Sequence, residues 1–337
     1  MNIENLTPHL VAHSVGRTAV GQEALLFFVK GAFVIEANGQ LSPAGEIPPL
    51  LAADDFTGDA GASSLSFAAE TCPPKPWVDV CLCGSLHLPE PKTVVDCTLQ
   101  VGNQIRKTVR VWGPRVWRKA NNQFSASTPQ SFTSMPLHWE RAFGGVSARD
   151  PKIFAPRNPL GVGLYDVRDA EGLPLPNFEA PDAPTVLGAP SAPVGFGAVS
   201  PHWAPRSKYA GTYDQAWQQQ RAPLPPADFN PRFFNVAPED QQLARYPAGE
   251  TISLKNMALD RQQSFVLPEF HFPVSLVDSG YLVEREVQPD TIVIDLDRGL
   301  VILRAALEYV PRQTVLDVMG AFVGVMSAGR RKALEAP

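Results

Sequence analysis

Between Met135 and Gln241 lie 17 of the chain's 34 prolines and 13 of its 30 aromatic residues. Proline has no backbone N–H and a fixed φ, so a stretch this rich in it cannot be mainly helix or central strand. Disordered linkers are poor in aromatic rings, and this stretch is not. Together the two facts predict a long segment that is ordered but irregular. Ordering the backbone over 135–241 costs more entropy than burial of its rings can return. The segment must therefore be packed on regular structure supplied by the two ends of the chain, or on a partner.

The flanks supply strand patterns. Residues 24–36 are rich in β-formers and run into Asn38-Gly39, a tight-turn signal. Residues 42–75, broken by five prolines, read as loop. Val78, Val80 and Leu82 alternate with polar or small neighbours. Val95, Cys97, Leu99 and Val101 do the same, and so, after Gly102-Asn103-Gln104, do Ile105, Lys107, Val109 and Val111. Period-two alternation on both sides of a Gly-Asn turn predicts a hairpin in an antiparallel sheet with one polar face. Towards the C-terminus, strands are predicted at 251–257 and 264–268, with a hairpin joining 291–295 to 300–304 and residues 281–287 pairing nearby.

The expected fold is mainly β. Antiparallel sheets, as a sandwich or distorted barrel, come from an N-terminal part (1–125) and a C-terminal part (246–311). The irregular segment (126–245) lies over them in a single interleaved domain, since no flexible Gly/Ser linker separates the parts. The tail, 312–337, is apolar nearly all round. Pro311 and Thr314 suit a helix start, and Gly320, Ala321 and Gly324 would permit close packing. It reads as a helix or strand buried in the chain's own core, or as a docking segment for another chain.

Composition excludes several function classes. Net charge is −5, and no basic block is longer than Arg330-Arg331-Lys332, which argues against nucleic acid as a partner. The N-terminus lacks a basic, then apolar, leader, and no run of 18 apolar residues occurs, so neither a signal peptide nor a membrane span is expected. The spacing of Cys72, Cys81, Cys83 and Cys97 does not match paired zinc ligands, and they read as core thiols. The expectation is a protein of the reducing cytoplasm with no cofactor or metal.

No catalytic signature is assembled. G-x-S-x-G, H-E-x-x-H and Walker sequences are absent. His138 and Glu140 sit two apart, as on a strand face, with no third metal ligand at a recognisable spacing. Asp214, Asp228 and Asp240 suit turn capping. Gly161-Val162-Gly163 is half of a phosphate-loop pattern without its strand and helix. Arg141 and Arg221 suit clamps on carbonyls or carboxylates. An enzyme remains the alternative reading, a hydrolase or carbohydrate-active protein using His138, Glu140, Asp214 or Asp228. It requires two of those carboxylates to approach within roughly 5–10 Å in a deep pocket.

The central stretch carries a series of short cues: Met135-Pro136-Leu137, Ala142-Phe143-Gly144-Gly145, Asn158-Pro159, Leu175-Pro176-Asn177, Gly195-Phe196-Gly197, Gly211-Thr212-Tyr213-Asp214, Asp228-Phe229 and Phe233-Phe234-Asn235-Val236-Ala237-Pro238. Gly, Pro, Asn and Asp fix turns, and the aromatic residues between them anchor each turn. In order and rough spacing, from near residue 20 to about residue 304, the series resembles the bacterial type VI secretion accessory proteins known as domain of unknown function 2169. The apolar tail departs from that pattern. The resemblance implies a cytoplasmic adaptor or chaperone that binds a toxic effector and loads it onto the spike tip, a VgrG-type valine-glycine-repeat trimer with its PAAR-repeat cap. It brings no catalytic residues. For such a role, aromatic and arginine side chains on ordered loops are the natural contacts, which nominates Trp139, Trp203, Tyr213, Trp217 and Arg221.

Overall fold

A computed structural model describes residues 1–258 and 262–335. The fold is mainly β, and among the described residues no sheet closes into a barrel. The main sheet runs in the order Gln242–Leu243, Val78–Cys83, Pro289–Asp295, Leu300–Tyr309, Glu23–Ile35 and Leu10–Arg17, and Leu41–Pro43 also pairs with Glu23–Ile35. A second sheet of five antiparallel strands has the order Phe178–Glu179, Ile105–Trp112, Val94–Val101, Thr251–Lys255 and Gln262–Val266. The inward residues of both sheets, among them Phe27, Leu82 and Leu303 from the first and Leu99, Val109 and Leu254 from the second, merge in one hydrophobic core.

The predicted hairpins form where the alternation placed them. Val101 pairs with Ile105 across the Gly102 turn, and Asp295 with Leu300 across the 296–299 turn. Val78–Cys83 differs from the expectation. It pairs parallel with Pro289–Asp295, and both of its faces are buried. The face that carries Asp79 and Cys81 reads as solvent-facing in isolation, but Ala198, Val236 and Ala237 of the central segment cover it.

Beyond the end of Leu41–Pro43, the 42–75 loop holds two short strands, Asp55–Phe56 and Leu65–Phe67. It is tied down by two cations that face each other across the main sheet, Lys30 and Arg304. Both are almost fully buried. Lys30 Nζ donates to Glu70 Oε2 at 2.7 Å and to Pro49 O at 2.9 Å. Arg304 donates to Glu70 O at 2.9 Å, to Cys72 O and to the Asp290 carboxylate. Neither cation could be buried beside the other without these acceptors.

The tail does not continue as a helix from Thr314. Thr314 and Asp317 cap a single 3-10 turn, and Val318–Val323 follows as a strand. β-Branched valines and the poor helix former Gly320 favour that outcome. This strand lies inside a third sheet, ordered Asn2–Asn5, Val318–Val323, Phe272–Asp278 and Tyr281–Val287, and joins its first neighbour in parallel. Val318, Ala321 and Val323 enter the common core, as the buried-in-core reading of the tail expected. Only Ala328–Glu335 is helical, held by Arg330 on Glu4 and by Arg331 on Glu284. Residues 336–337 of the tail lie outside the described residues.

Asp278 locks this third sheet. It is fully buried and accepts from the Tyr309 hydroxyl at 2.6 Å, the Arg312 N–H at 2.9 Å and the Ser279 hydroxyl at 3.0 Å. Burial alone would raise its pKa, but these donors outweigh it and hold the carboxyl below its ordinary value. A lowered folded-state pKa contributes stability above about pH 4, and that stability is lost as pH falls through the folded value. Methyl NMR of Val318, Ala321 and Val323 is expected to show the sheet loosening on acidification below about pH 4. In Asp278→Asn the sheet is expected to be weakened already at neutral pH, with a smaller acid response.

Candidate functional site

The central segment is held in place by side chains that satisfy its irregular backbone. Asp79 is the most heavily used of them. It is 0 % exposed. Its carboxylate accepts from Lys75 Nζ at 2.8 Å, from Asn235 Nδ2 at 3.0 Å, and from the N–H groups of Val236 at 2.9 Å and Ala237 at 3.2 Å. Burial works against the charge on Lys75, but Asp79, with help from Cys72 and Asp290, keeps its pKa raised. One turn further on, Gln241 Nε2 donates to Val80 O at 2.6 Å and to Phe196 O at 3.0 Å, joining two distant parts of the segment to the same strand.

The glycine cues turn out to be two halves of one crossing. Phe143-Gly144 pairs parallel with Val162-Gly163. Gly145 N donates to Asn158 O at 2.9 Å, and Val162 N to Ala142 O at 3.0 Å. The buried Asn158 amide donates to Trp139 O at 2.8 Å and Phe143 O at 3.1 Å. The backbones approach so closely that a Cβ on Gly144 would stand 2.0 Å from Asn158 O, and one on Gly161 would stand 2.5 Å from Ala142 O. Gly161-Val162-Gly163 therefore serves chain crossing. The Leu175-Pro176-Asn177 cue is also structural, since Asn177 exchanges bonds with Trp112 through its side chain at 2.9 Å and its carbonyl at 2.8 Å.

The nominated contact residues separate into two groups. Trp139 and Trp203 are core residues, 6 % and 3 % exposed, with their rings edge-on at 6.2 Å. Trp139 Nε1 donates to Ala198 O at 2.8 Å. Both are largely enclosed, because the loops they were expected to decorate close over them. Tyr213, Trp217 and Arg221 lie together on the short helix Gln215–Gln220 and its flanks. Tyr213 is 57 % exposed and edge-on to Trp217 at 4.6 Å. The Trp217 indole donates to Leu224 O at 2.8 Å. Arg221 donates to Pro225 O and, at 2.7 Å, to Ala19 O, so it clamps carbonyls and braces this lobe on the 18–22 turn of the N-terminal hairpin. The turn presents Val20, 73 % exposed, beside the lobe.

The carboxylates of the enzyme alternative are occupied by hydrogen bonds, and among them only Asp214 and Asp228 share a depression. Glu140 accepts from the backbone and hydroxyl of Ser64. Asp214 accepts from Trp217 N at 2.8 Å as the helix N-cap. Asp228 accepts from Thr212 N at 2.9 Å and Oγ1 at 2.7 Å, bonds that hold its carboxyl below the ordinary carboxylate range and unsuited to donating a proton at neutral pH. Asp214 and Asp228 line one open depression of about 390 Å³, while His138 lines a different cavity with Asp295 and Asp297. Burial lowers the His138 pKa. Among the described residues no His, Cys, Asp or Glu group has the grouping of a metal site. All four cysteines are unpaired thiols, and burial pushes Cys97 up to about 12 and Cys81 and Cys83 higher still. Among the described residues no helix is long and apolar enough to cross a membrane.

A family profile described as an uncharacterized protein conserved in bacteria, domain of unknown function 2169, matches residues 20–305. The chain belongs to this family. The matched region takes in the main sheet from the 18–22 turn onward, the second sheet and the whole central segment. It leaves out Asn2–Asn5 and Val318–Val323, two of the four strands of the third sheet. No curated protein and no solved structure matches the chain.

Sequence reasoning missed Asp79 and Gln241, and read Asn158 and Asn235 as turn-fixing cues without their bonds to distant parts of the family region. Their one visible signal is a polar residue inside an otherwise structured motif. Asp79→Ala is expected to destabilise the protein by about 3–5 kcal/mol, since it strands a buried lysine and three N–H donors. Gly144→Ala is expected to cost about 3 kcal/mol or more through its clash with Asn158. Denaturant unfolding of both variants checks these values.

Proposed function

We propose that this chain is a non-enzymatic adaptor of a bacterial type VI secretion system, which binds a toxic effector and helps to load it onto the valine-glycine-repeat and PAAR spike tip. The assignment to that system rests on the likeness of the sequence cues. The observation that carries the adaptor reading is the braced lobe, where Tyr213 stands exposed on Trp217 and is anchored through Arg221 to the turn bearing Val20. An aromatic side chain held in one orientation loses little entropy when a partner covers it, which is what an anchor residue requires. The employment of Glu140, Asp214 and Asp228 as backbone acceptors supports the same reading, because a carboxylate committed to turns is not available as an acid or base.

The test is co-expression with the effector encoded beside this protein in its genome. The effector is expected to be soluble and secreted with the adaptor and to aggregate without it. Tyr213→Ala is expected to weaken effector capture roughly tenfold, about 1.4 kcal/mol, while leaving the melting temperature nearly unchanged. Equal solubility and secretion of the effector in the absence of this chain would overturn the proposal.

A further inference from the structure

A second feature of the central segment lies apart from the Tyr213 lobe. The segment roofs a cleft of about 350 Å³, a size typical of small-ligand sites. Four cations line it, Lys107, Arg157, Arg206 and Arg232, together with two acids, Glu239 and Asp240. The rest of the lining is mostly apolar, including Trp139, Pro193, Val194, Ala204 and Pro238, with Asn235 and Gln242 as polar members.

The charges do not cancel. Asp240 accepts from Lys107 at 2.9 Å, and Glu239 stands 3.8 Å from Arg232. The other two guanidinium groups have no carboxylate within ion-pair distance among the described residues. Arg206 is 7 % exposed, and its bonds go to two main-chain carbonyls, Val199 O and Phe233 O. Arg157 is exposed and has no hydrogen-bond or ion-pair partner among the described residues. Arg232 adds a buried Nε–H with no acceptor. Arg206 is buried with Asp54 and Asp79 acting on it only from beyond ion-pair distance, so an anion bound at its side would offset part of the cost of that burial.

Guanidinium forks match an oxyanion. The two acids narrow the choice. A phosphate dianion would lie against Glu239 and Asp240, whereas the end of a peptide offers a carboxylate for the arginines and amide N–H groups for the acids. The Pro, Val and Ala wall would accept a small apolar side chain beside it. We infer that the cleft is a binding site for the C-terminal carboxylate of a polypeptide, with Arg157 and Arg206 as its principal ligands. Taking a polypeptide rather than a metabolite as the source rests on the adaptor reading.

The experiment uses the full chain and two pools of acetylated random tripeptides, one with free C-termini and one amidated, with inorganic phosphate as a third probe. Binding is read from the arginine Nε–H NMR signals of Arg206 and Arg232. The free-acid pool is expected to shift both signals and the amidated pool to bind at least tenfold more weakly. Arg157→Gln, at an exposed position that need not disturb folding, is expected to weaken the free-acid pool about tenfold and leave the amidated pool unchanged. Equal binding of the two pools, no shift with either, or tighter binding of phosphate than of the free acids would overturn the assignment. Lost peptide binding with effector capture intact rejects only the cleft, and lost capture with peptide binding intact rejects only the adaptor reading.

Discussion

The Asp79 carboxylate is the point on which the rest of the structure depends. It sits in a strand of the main sheet, yet three of its four donors come from Asn235, Val236 and Ala237, about 156 residues along the chain. An irregular segment cannot satisfy its own backbone by ladders, so each inward-facing N–H and carbonyl needs another partner. Asp79 accepts from the N–H groups at the segment's end, and one turn later Gln241 Nε2 donates to the carbonyls of Phe196 and Val80. A buried polar network rigidifies what it joins when its donors are paired, as the four donors onto Asp79 are. That is how a stretch with 17 prolines acquires a single shape.

The same device recurs along the segment. Asn158 holds the Gly144 and Gly161 crossing, Asn177 docks the next loop on the edge of the second sheet, and Arg206 and Arg221 hold carbonyls in the region of the two short helices. The family cues are thus pairs of interlocking pieces. Glycines permit close backbone approach, and a nearby amide or guanidinium fills the hydrogen bonds that the approach leaves open. The two terminal strands lie outside the family region and complete a third sheet, so this part of the architecture belongs to the chain's ends.

Much of this was legible in the sequence. Alternation located the Val94–Val101 and Ile105–Trp112 hairpin and the Pro289–Asp295 and Leu300–Tyr309 hairpin, because side-chain period is a local property. Proline and aromatic content marked the central segment as irregular and ordered. What escaped was long-range. Asp79 between Val78 and Val80 has the pattern of a solvent-facing position, and only the arrival of Val236 and Ala237 makes it internal. Lys107 reads as one polar member of an apolar row, and its partners Asp240 and Gln241 lie more than a hundred residues away. Trp139 and Trp203 could not be sorted from Tyr213 and Trp217 by type. Exposure depends on which loop folds over which.

The Tyr213 lobe and the arginine cleft are both built from the central segment, so each requires that segment to be preformed. Amide hydrogen exchange of the isolated chain measures this most directly. The account predicts that the amides of Gly145, Val162, Val236, Ala237 and Gln241 exchange as slowly as that of Ile294 in the main sheet, because they open only when the whole protein unfolds. Exchange of those amides within seconds, while Ile294 stays protected, would contradict it.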